Sequence, residues 1–533
     1  MYVNGSSAYK HNVQTYGAAN GYKDFIPKFT APKFNASEWA AIYRRAGARY
    51  AGPVAEHADG FAMFKSAISH FNAFEMGPKR DVTGELEAAI RHNGLRFVTT
   101  MHHQWLQAWY PTWNDVTDAG DPQFELTATH GGLYGPKVAS SKCFSGTHPP
   151  CVPSQRFNDY FNGKVFEVVD QYHPDVLYFD ARLNWIDEDH RLAFLAHYFN
   201  SAANWTKAGT SSGVVVTYKN KDLEAGAGVL DFERGGADRI IVPHWQTDDA
   251  MDRGSWSWVN PPNLKNETEL IGELVDIVSK NGNLLLDIPP HADGSIDPEV
   301  QRTLFAIGDW LGVNGEAIFA TRPWFEVGFG EGPTRINPGS FHEWPTFTSK
   351  DFRFTTNQKC VFAAAMAWSD SGFTIKSVNS TAGPGRHVTA VSLVGSSAPV
   401  KYTLAADGLH IAPMQKPAGL DHVFVFRLQM NGTKIGFISW DLLDESTPTI
   451  QPGASVTLRW RSGGTSDTNV AIDSWFAETW HQVTTSTPNT GVFLWDVPEA
   501  MGSGDSGPII LRIRSLDEID IGHTAMFPLS RNR

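Results

Sequence analysis

The sequence is poor in cysteine, in long apolar runs and in clustered positive charge. Three cysteines in 533 residues are too few for a disulfide framework to hold the fold together. No stretch of 18 apolar residues occurs, so no segment is predicted to cross a membrane. The formal net charge is −13 and the basic residues form no block, which argues against nucleic acid as a partner. The composition, 41% apolar and 19% charged, is typical of a globular protein, and the length predicts two or three domains.

The cysteines and the N-glycosylation sequons bear on where the protein is located. Cys143 and Cys151 flank the loop CFSGTHPPC and could form a disulfide, whereas Cys360 is predicted to be buried and unreactive. The six N-x-S/T sequons are roughly twice the number expected by chance, which favours a secreted glycoprotein. The first residues, MYVNGSSAYKHN, lack the apolar core of a signal peptide. We still expect an extracellular or lysosome-like location. The sequons begin at Asn4, Asn35, Asn204, Asn266, Asn379 and Asn431.

Strand and helix patterns alternate through residues 37–311. This alternation predicts a parallel sheet covered by helices. Its extent fits a (β/α)₈ barrel, which typically takes about 250 residues. Seven strands are recognisable rather than eight, and the residues before Ser37 offer no further one. The predicted strands are 50–56, 95–101, 176–179, 214–217, 229–233, 240–245 and 283–288. The predicted helices are 37–46, 83–92, 156–171, 188–202, 267–279 and 298–311.

The pattern changes after about Thr321, where helical periodicity stops and short alternating strands begin. Segments such as VFAAAMAW and HVFVFRL predict an all-β domain, a sandwich, over residues 321–430. Segments such as SVTLRWRS and PIILRIRS predict a second β-sandwich-like module over residues 431–533. The predicted fold class is therefore α/β, with a (β/α)₈-like domain at 1–320 followed by β-sandwich domains.

The segment VLYFD stands out within the predicted barrel. Val176–Phe179 form a nearly continuous apolar run, typical of a strand buried on both faces, and the run ends at Asp180. A carboxylate at the carboxyl end of a buried parallel strand is costly unless another group satisfies it or the chemistry uses it. In α/β barrels this end carries the active site. Asp180 is therefore either catalytic or a structural cap for the next segment.

Other polar residues lie at the ends of the remaining predicted strands, and a barrel would bring them to the same mouth. Paired carboxylates flanked by His and Trp suit glycoside hydrolysis, in which one carboxylate is the nucleophile and the other the acid/base. The 18 tryptophans agree with this chemistry, because indoles stack on sugar rings, although they also fill cores. These residues are His57, Asp59, His102, His103, Lys219, Glu233, His244, Trp245 and Gln246.

Several alternatives remain open at these positions. The histidines could be core residues, and the His/Asp groups could bind a metal, although no HExxH motif occurs. Asp231, two residues before Glu233 on the same strand face, could be the acid, and Glu56 is a third candidate. Lys219 could be a surface lysine. We expect no cofactor and no metal.

Several long motifs, in order between about Tyr22 and Trp324, resemble the α-L-fucosidases of glycoside hydrolase family 29. The segment ending in EHADGF is similar to the family's HHDGF motif. NAFEMGPKRDVTGEL resembles its GPKRDLVGEL stretch, and VLYFD its W/Y-F-D strand. NLLLDIPPHADG and NGEAIFATRPW resemble NLLLNVGPTADG and NGEAIYGTRPW.

The resemblance implies a retaining exo-α-L-fucosidase that removes terminal fucose from an oligosaccharide or glycoconjugate. It implies Asp180 as the nucleophile and Glu233, in VLDFERGG, as the acid/base. It also implies that His57 binds a fucose hydroxyl and that Lys219 takes the role of a family arginine. The further residues expected to bind substrate are His102, His103, Tyr178, Trp245 and Trp258.

Departures from the family pattern motivate two alternative functions. The second histidine of HHDGF is Ala58 here, and the resemblance begins after the family's first strand, which ends in IHWG. The first alternative is an inactive homologue that binds glycans, and the second is a glycosidase for another sugar. NTGVFLWDVP in the last module resembles fungal cell-wall β modules. The sequence gives no oligomeric state.

Overall fold

The structure, a computed structural model, contains two compact units. The first unit comprises Met1–Leu223 and Pro289–Phe305, and the second comprises Glu224–Ile288 and Ala306–Arg533. The described residues are 2–127, 131–143, 152–205, 213–224, 227–241, 244–324, 329–334, 345–357, 360–380, 388–430, 437–440, 450–463, 469–476, 479–499, 509–516 and 522–527.

The first unit contains strands that pair in parallel and lead to the residues of interest. β3 pairs with β4, and β4 pairs with β5. The first predicted strand is interrupted, because a side chain at Gly52 would meet the Val98 carbonyl and Pro53 has no N–H to donate. Its two pieces, β1 and β2, both pair with β3. The strands are β1 (Tyr50–Ala51), β2 (Val54–Glu56), β3 (Arg96–Met101), β4 (Val176–Phe179) and β5 (Val215–Lys219).

Helices alternate with these strands, and their ends follow capping rules. The Asn35 side chain accepts from the backbone at the start of α2, and Asp81 and Ser154 do the same for α3 and α4. The helices are α1 (Ser7–Tyr16), α2 (Ala36–Arg45), α3 (Val82–His92), α4 (Gln155–Tyr172) and α5 (Glu188–Trp205). Short 3₁₀ helices span Tyr22–Lys28, His103–Gln107, Asp118–Gly120, Pro122–Phe124, Ser141–Cys143 and Leu183–Trp185.

The second unit opens with three more parallel strands, β6 (Val229–Glu233), β7 (Trp245–Ala250) and β8 (Gly282–Asp287). The prediction of a strand over 240–245 is wrong, because β7 begins where that segment ends. The strand, WQTDDA, is polar, and its buried Asp249 is neutralised by Lys265 at 2.9 Å and Arg234 at 3.4 Å. The prediction relied on apolar residues and therefore placed the strand in the segment before β7. α6 (Glu267–Ser279) lies between β7 and β8. Later in the chain, α7 (Pro298–Asn314) begins in the first unit and ends in the second, and the 3₁₀ helix Gly315–Ala317 follows it.

Antiparallel sheets form the rest of the second unit. The first sheet has six strands: β9 (Arg322–Pro323), β10 (Gly330–Glu331), β11 (Phe352–Thr356), β12 (Val361–Ala365), β14 (Val388–Leu393) and β17 (Phe424–Met430). The second sheet has three strands: β13 (Phe373–Ile375), β15 (Tyr402–Ala405) and β16 (Gly408–Ile411). A single core cluster draws on both, as Phe352 and Phe426 from the first and Phe373 from the second show, so the two sheets form a sandwich.

A second pair of sheets follows in the same way. One sheet contains β18 (Phe437–Trp440), β19 (Ser455–Gly463) and β22 (Val492–Asp496). The other sheet contains β20 (Asn469–Phe476), β21 (Thr479–Pro488), β23 (Ile509–Ser515) and β24 (Gly522–Phe527). Their shared core contains Leu458 and Trp495 from one sheet and Ile472 and Leu511 from the other.

The predicted fold class is confirmed, since helices and parallel strands precede antiparallel sandwiches. The boundaries 1–320, 321–430 and 431–533 stay a prediction. None of the described helices is long and apolar enough to cross a bilayer. Cys360 is a buried free thiol, as predicted, while Cys151 lies outside the described residues.

A buried charge network joins α6 to β11 within the second unit. The Asp276 carboxylate accepts from Arg353 Nε at 2.5 Å and from Lys280 Nζ at 2.6 Å, and all three side chains are fully buried. One carboxylate therefore balances two buried cations. Removing one partner from a buried ion pair costs about 3–5 kcal/mol, because the remaining charge has no solvent.

We predict that Asp276→Asn destabilises the protein by about 3–5 kcal/mol, since it leaves both cations without a buried anion. Calorimetric melting of the full chain measures this loss. The matched control is Glu299→Gln, which breaks an exposed pair with Arg302 and should cost less than about 1 kcal/mol. Equal melting temperatures for the two variants would contradict the prediction.

Candidate active site

Strand register places Asp180 beside Lys219. Tyr178 of β4 is opposite Thr217 of β5, so the residues two further along each strand are also neighbours. Lys219 Nζ lies 3.2 Å from Asp180 Oδ1, with 4% and 18% of the two side chains exposed. The alternative that Lys219 is a surface lysine is therefore wrong.

The turn that follows Asp180 is held from two sides. Gln104 Nε2 donates to the Asp180 carbonyl at 2.7 Å and to the Ala181 carbonyl at 3.1 Å. On the other side, the Asp222 carboxylate accepts from Leu183 N at 3.0 Å. Sequence analysis identified neither Gln104 nor Asp222, because neither follows a recognisable motif. These contacts fix the backbone that carries the candidate nucleophile.

The charge state of Asp180 depends on Lys219. Burial, the largest single influence, raises the pKa of Asp180, but the Lys219 ammonium, His102 and the Ala181 N–H together outweigh it, so the pKa lies below its ordinary value. Asp180 is thus a carboxylate under ordinary conditions, as a nucleophile must be. By contrast, burial and then the charge of Asp180 raise the pKa of Asp222 to about 6.

Three further candidates group around this pair. The rings of His57 and His102 stack at 4.5 Å, and His102 lies 5.7 Å from the Tyr178 ring. Lys219 Nζ lies 5.9 Å from the Tyr178 ring centre. Burial, followed by the charge of His57, lowers the pKa of His102 to about 3, so His102 is neutral near neutrality. The structure therefore brings five of the predicted site residues together, and their roles stay predictions: His57, His102, Tyr178, Asp180 and Lys219.

His103 is not part of this group, and the prediction that it binds substrate is wrong. It is fully buried, its ring stacks on Phe161 of α4 at 4.4 Å, and its Nε2 lies 3.1 Å from the Phe161 carbonyl. Glu56 also faces α4, where it pairs with Lys164 at 2.7 Å, and both side chains are fully buried. These residues attach the strand ends to α4, so Glu56 is not available as the acid.

The remaining predicted residues belong to the second unit. Glu233 ends β6 and is half-buried, whereas Asp231 is buried and accepts from Gln246 Nε2 at 2.8 Å. Trp258 lies half-buried in the loop after β7. The prediction that Trp245 ends a strand is wrong, because it begins β7. Its indole is 1% exposed, donates to the Lys280 carbonyl and packs on Phe232, which is a core position rather than a sugar-binding wall.

A carboxyl group that sequence analysis missed ends β8 in the same unit. Burial, followed by the charge of Asp248, raises the pKa of Asp287 to about 8. Asp248 is opposite Glu233 in the register of β6 and β7. Asp287 therefore carries a proton at neutral pH, which a general acid requires.

A family model described as alpha-L-fucosidase matches residues 1–316 of this chain. The chain belongs to the alpha-L-fucosidase family. The rat tissue alpha-L-fucosidase is 28% identical over 425 residues, which cover 78% of this chain and 79% of the rat protein. The human plasma alpha-L-fucosidase is 30% identical over 368 residues, 66% of each protein. Membership makes the protein a glycoside hydrolase, an alpha-L-fucosidase, and confirms the resemblance.

Solved structures share the fold of this fucosidase. A Thermotoga maritima alpha-fucosidase in complex with fucose aligns with a TM-score of 0.59 and 23% identity, covering 80% of this chain and 86% of that one. A Paenibacillus thiaminolyticus alpha-L-fucosidase aligns with a TM-score of 0.57 and 19% identity, covering 77% of this chain and 89% of that one. At this identity the likeness concerns the fold, and the roles of individual residues stay predictions.

The Asp180–Lys219 pair predicts a specific pH dependence. In Lys219→Met the cation is lost while burial remains, so the pKa of Asp180 rises above its ordinary value. The acidic limb of the kcat/KM profile should move to higher pH, with about a tenfold loss at pH 5 for each unit by which the pKa exceeds that pH. Rates measured between pH 3 and 9 test this.

Lys221→Met is the matched control, because Lys221 is exposed and lies two residues beyond Lys219. It should leave the acidic limb in place. An unmoved acidic limb in Lys219→Met would contradict the assignment of that limb to Asp180.

Proposed function

We propose that this fucosidase is a retaining exo-enzyme that removes terminal α-L-fucose from fucosylated oligosaccharides or glycoconjugates through a covalent fucosyl-enzyme. The observation that carries the proposal is the half-buried Asp180 carboxylate, whose pKa the Lys219 ammonium lowers. The relatives support the substrate class, because they are named alpha-L-fucosidases. The Thermotoga neighbour has been solved with a mechanism-based inhibitor, in keeping with a covalent route.

In the first step, an electron pair of the Asp180 carboxylate forms a bond to the anomeric carbon of fucose. The glycosidic C–O bond breaks, and the leaving oxygen takes a proton from Glu233. In the second step, the Glu233 carboxylate removes a proton from water. The water oxygen bonds to the anomeric carbon as the bond to Asp180 breaks, and fucose leaves with its original configuration.

Neighbouring groups have separate roles in these steps. Lys219 keeps Asp180 ionised before attack. Neutral His102 accepts or donates a hydrogen bond without adding a positive charge that would weaken the Asp180 carboxylate as a nucleophile. His57, whose ring stacks on His102, is exposed and can contact a sugar hydroxyl. Gln104 and Asp222 hold the turn, so the carboxylate need not reorganise during attack.

The first test measures hydrolysis of 4-nitrophenyl α-L-fucoside by the wild type and by Asp180→Gly. We expect the variant to lose about a thousandfold or more in kcat, because the covalent step is lost. Azide should restore turnover and give β-fucosyl azide, because it attacks from the side that Asp180 occupied.

Wild-type turnover with undiminished activity in Asp180→Gly would overturn the role of Asp180. A folded wild type without turnover would favour the glycan-binding alternative. Preferential cleavage of a different sugar in a panel of aryl glycosides would favour the other-sugar alternative.

The acid/base is tested with leaving groups of different acidity. For Glu233→Ala, we expect little change in kcat/KM with 2,4-dinitrophenyl fucoside, because the dinitrophenolate leaves without being protonated. With a fucosylated disaccharide, whose leaving oxygen needs a proton, we expect kcat/KM to fall by about 10²–10⁴-fold. Asp287→Asn is the matched comparison, because Asp287 also carries a proton at neutral pH. If Asp287→Asn shows this pattern and Glu233→Ala does not, Asp287 is the acid instead.

The extracellular location stays a prediction. Asn4, Asn35, Asn204 and Asn266 are exposed sequon residues. Asn35 and Asn266 cap helices through Oδ1, which leaves Nδ2 as the attachment atom for a glycan. N-glycosylation is thus compatible with both helix caps.

A further inference from the structure

An exposed indole lies next to His57, one of the residues grouped around Asp180 and Lys219. Trp109 is 40% exposed, and among the tryptophans whose side chains the structure describes it is the only one that is exposed rather than buried or half-buried. Its ring lies edge-to-face with His57, with centroids 6.2 Å apart and an interplanar angle of 78°. His57 in turn stacks on His102. An aromatic surface therefore extends outward from the candidate nucleophile.

The surface continues through a stacked cation. Trp109 packs edge-to-face on Trp105 at 5.9 Å. The Arg182 guanidinium lies 3.6 Å from the Trp105 ring centre and 4.2 Å from that of Trp185. Arg182 is two residues beyond Asp180. The successive contacts from His57 through the two indoles to Arg182 therefore end beside the candidate nucleophile in the sequence. Planar stacking of this kind is specific to arginine.

The arrangement carries structural costs that packing alone does not explain. Arg182 has φ of +74°, a left-handed conformation that is unfavourable for a residue with a side chain. The Nε1 atoms of Trp105 and Trp185 are buried and find no acceptor among the described residues. Strained backbone and unsatisfied donors cluster at functional sites.

We propose that Trp109 and Trp105, backed by Arg182, form the subsite for the leaving-group sugar, the residue from which fucose is cleaved. The inference rests on the proposed function. A pyranose presents an apolar C–H face that fits a flat indole, and a rigid aromatic side chain loses little entropy when it binds. Trp105, fixed by Arg182 on its face, supports Trp109 from behind. The subsite gives the enzyme a preference for glycan over simple fucosides.

The test compares two substrates that share fucose and differ in the leaving group. α-L-Fucosyl fluoride has no ring beyond fucose, so its hydrolysis reports the fucose site alone. The second substrate is whichever of the α-1,2-, 1,3-, 1,4- and 1,6-linked fucosyl oligosaccharides the wild type cleaves fastest. We expect Trp109→Ala to lower the ratio of kcat/KM, oligosaccharide over fluoride, by about tenfold, mainly through KM. Trp109→Phe, which keeps a flat ring, should recover most of the ratio.

Trp205→Ala is the matched control. Trp205 ends α5, and its ring packs against that of His173, with centroids 4.4 Å apart. His173 precedes β4, so this contact lies at the opposite end of that strand from Asp180. Its ratio should equal that of the wild type. Arg182→Lys keeps the charge but loses the planar stack, and it should lower the ratio in the same direction as Trp109→Ala.

An unchanged ratio in Trp109→Ala overturns the subsite and leaves the proposed function intact. Wild-type cleavage of the fluoride but of no oligosaccharide also overturns the subsite. A wild type that cleaves neither substrate overturns the proposed function itself.

Discussion

A carboxylate and an ammonium at the ends of adjacent parallel strands are the constraint on which the site depends. Each would be costly alone in so buried a position, and together they are tolerated because the register of β4 and β5 sets them 3.2 Å apart. The pair also bears on the chemistry, since the Lys219 ammonium is the strongest of the influences that lower the pKa of Asp180 against its burial. Gln104 and Asp222 then fix the turn that carries it.

Behind this pair, α4 holds the neighbouring strand ends in place. Lys164 reaches Glu56 and the Phe161 carbonyl reaches His103, so one helix anchors the residues that precede His57 and follow His102. The Glu56 carbonyl also accepts from His102 N at 2.8 Å. Because these contacts are fully buried, the stacked histidines in front of them have a rigid support, and the exposed edge of the stack leads to Trp109.

The fold and part of the site could be predicted from sequence. The strand Val176–Phe179 was predictable, because a short apolar run between helical patterns is typical of a strand in a parallel sheet. The prediction failed for β7, where polar residues are buried with charge partners that lie far away in sequence, such as Lys265 for Asp249. It failed for Trp245 and His103 because adjacency to a strand end does not say which way a side chain faces.

By itself, the sequence determined the order of strands and helices, the change to antiparallel sandwiches and the carboxylate that ends a buried strand. Each of these follows from local patterns of apolar and polar residues. Only the tertiary structure decided that Lys219 faces Asp180, that Glu56 pairs with Lys164 of α4 and that the Arg182 guanidinium lies over the rings of Trp105 and Trp185. Those outcomes depend on register and on contacts between residues distant in the chain, which no local pattern encodes.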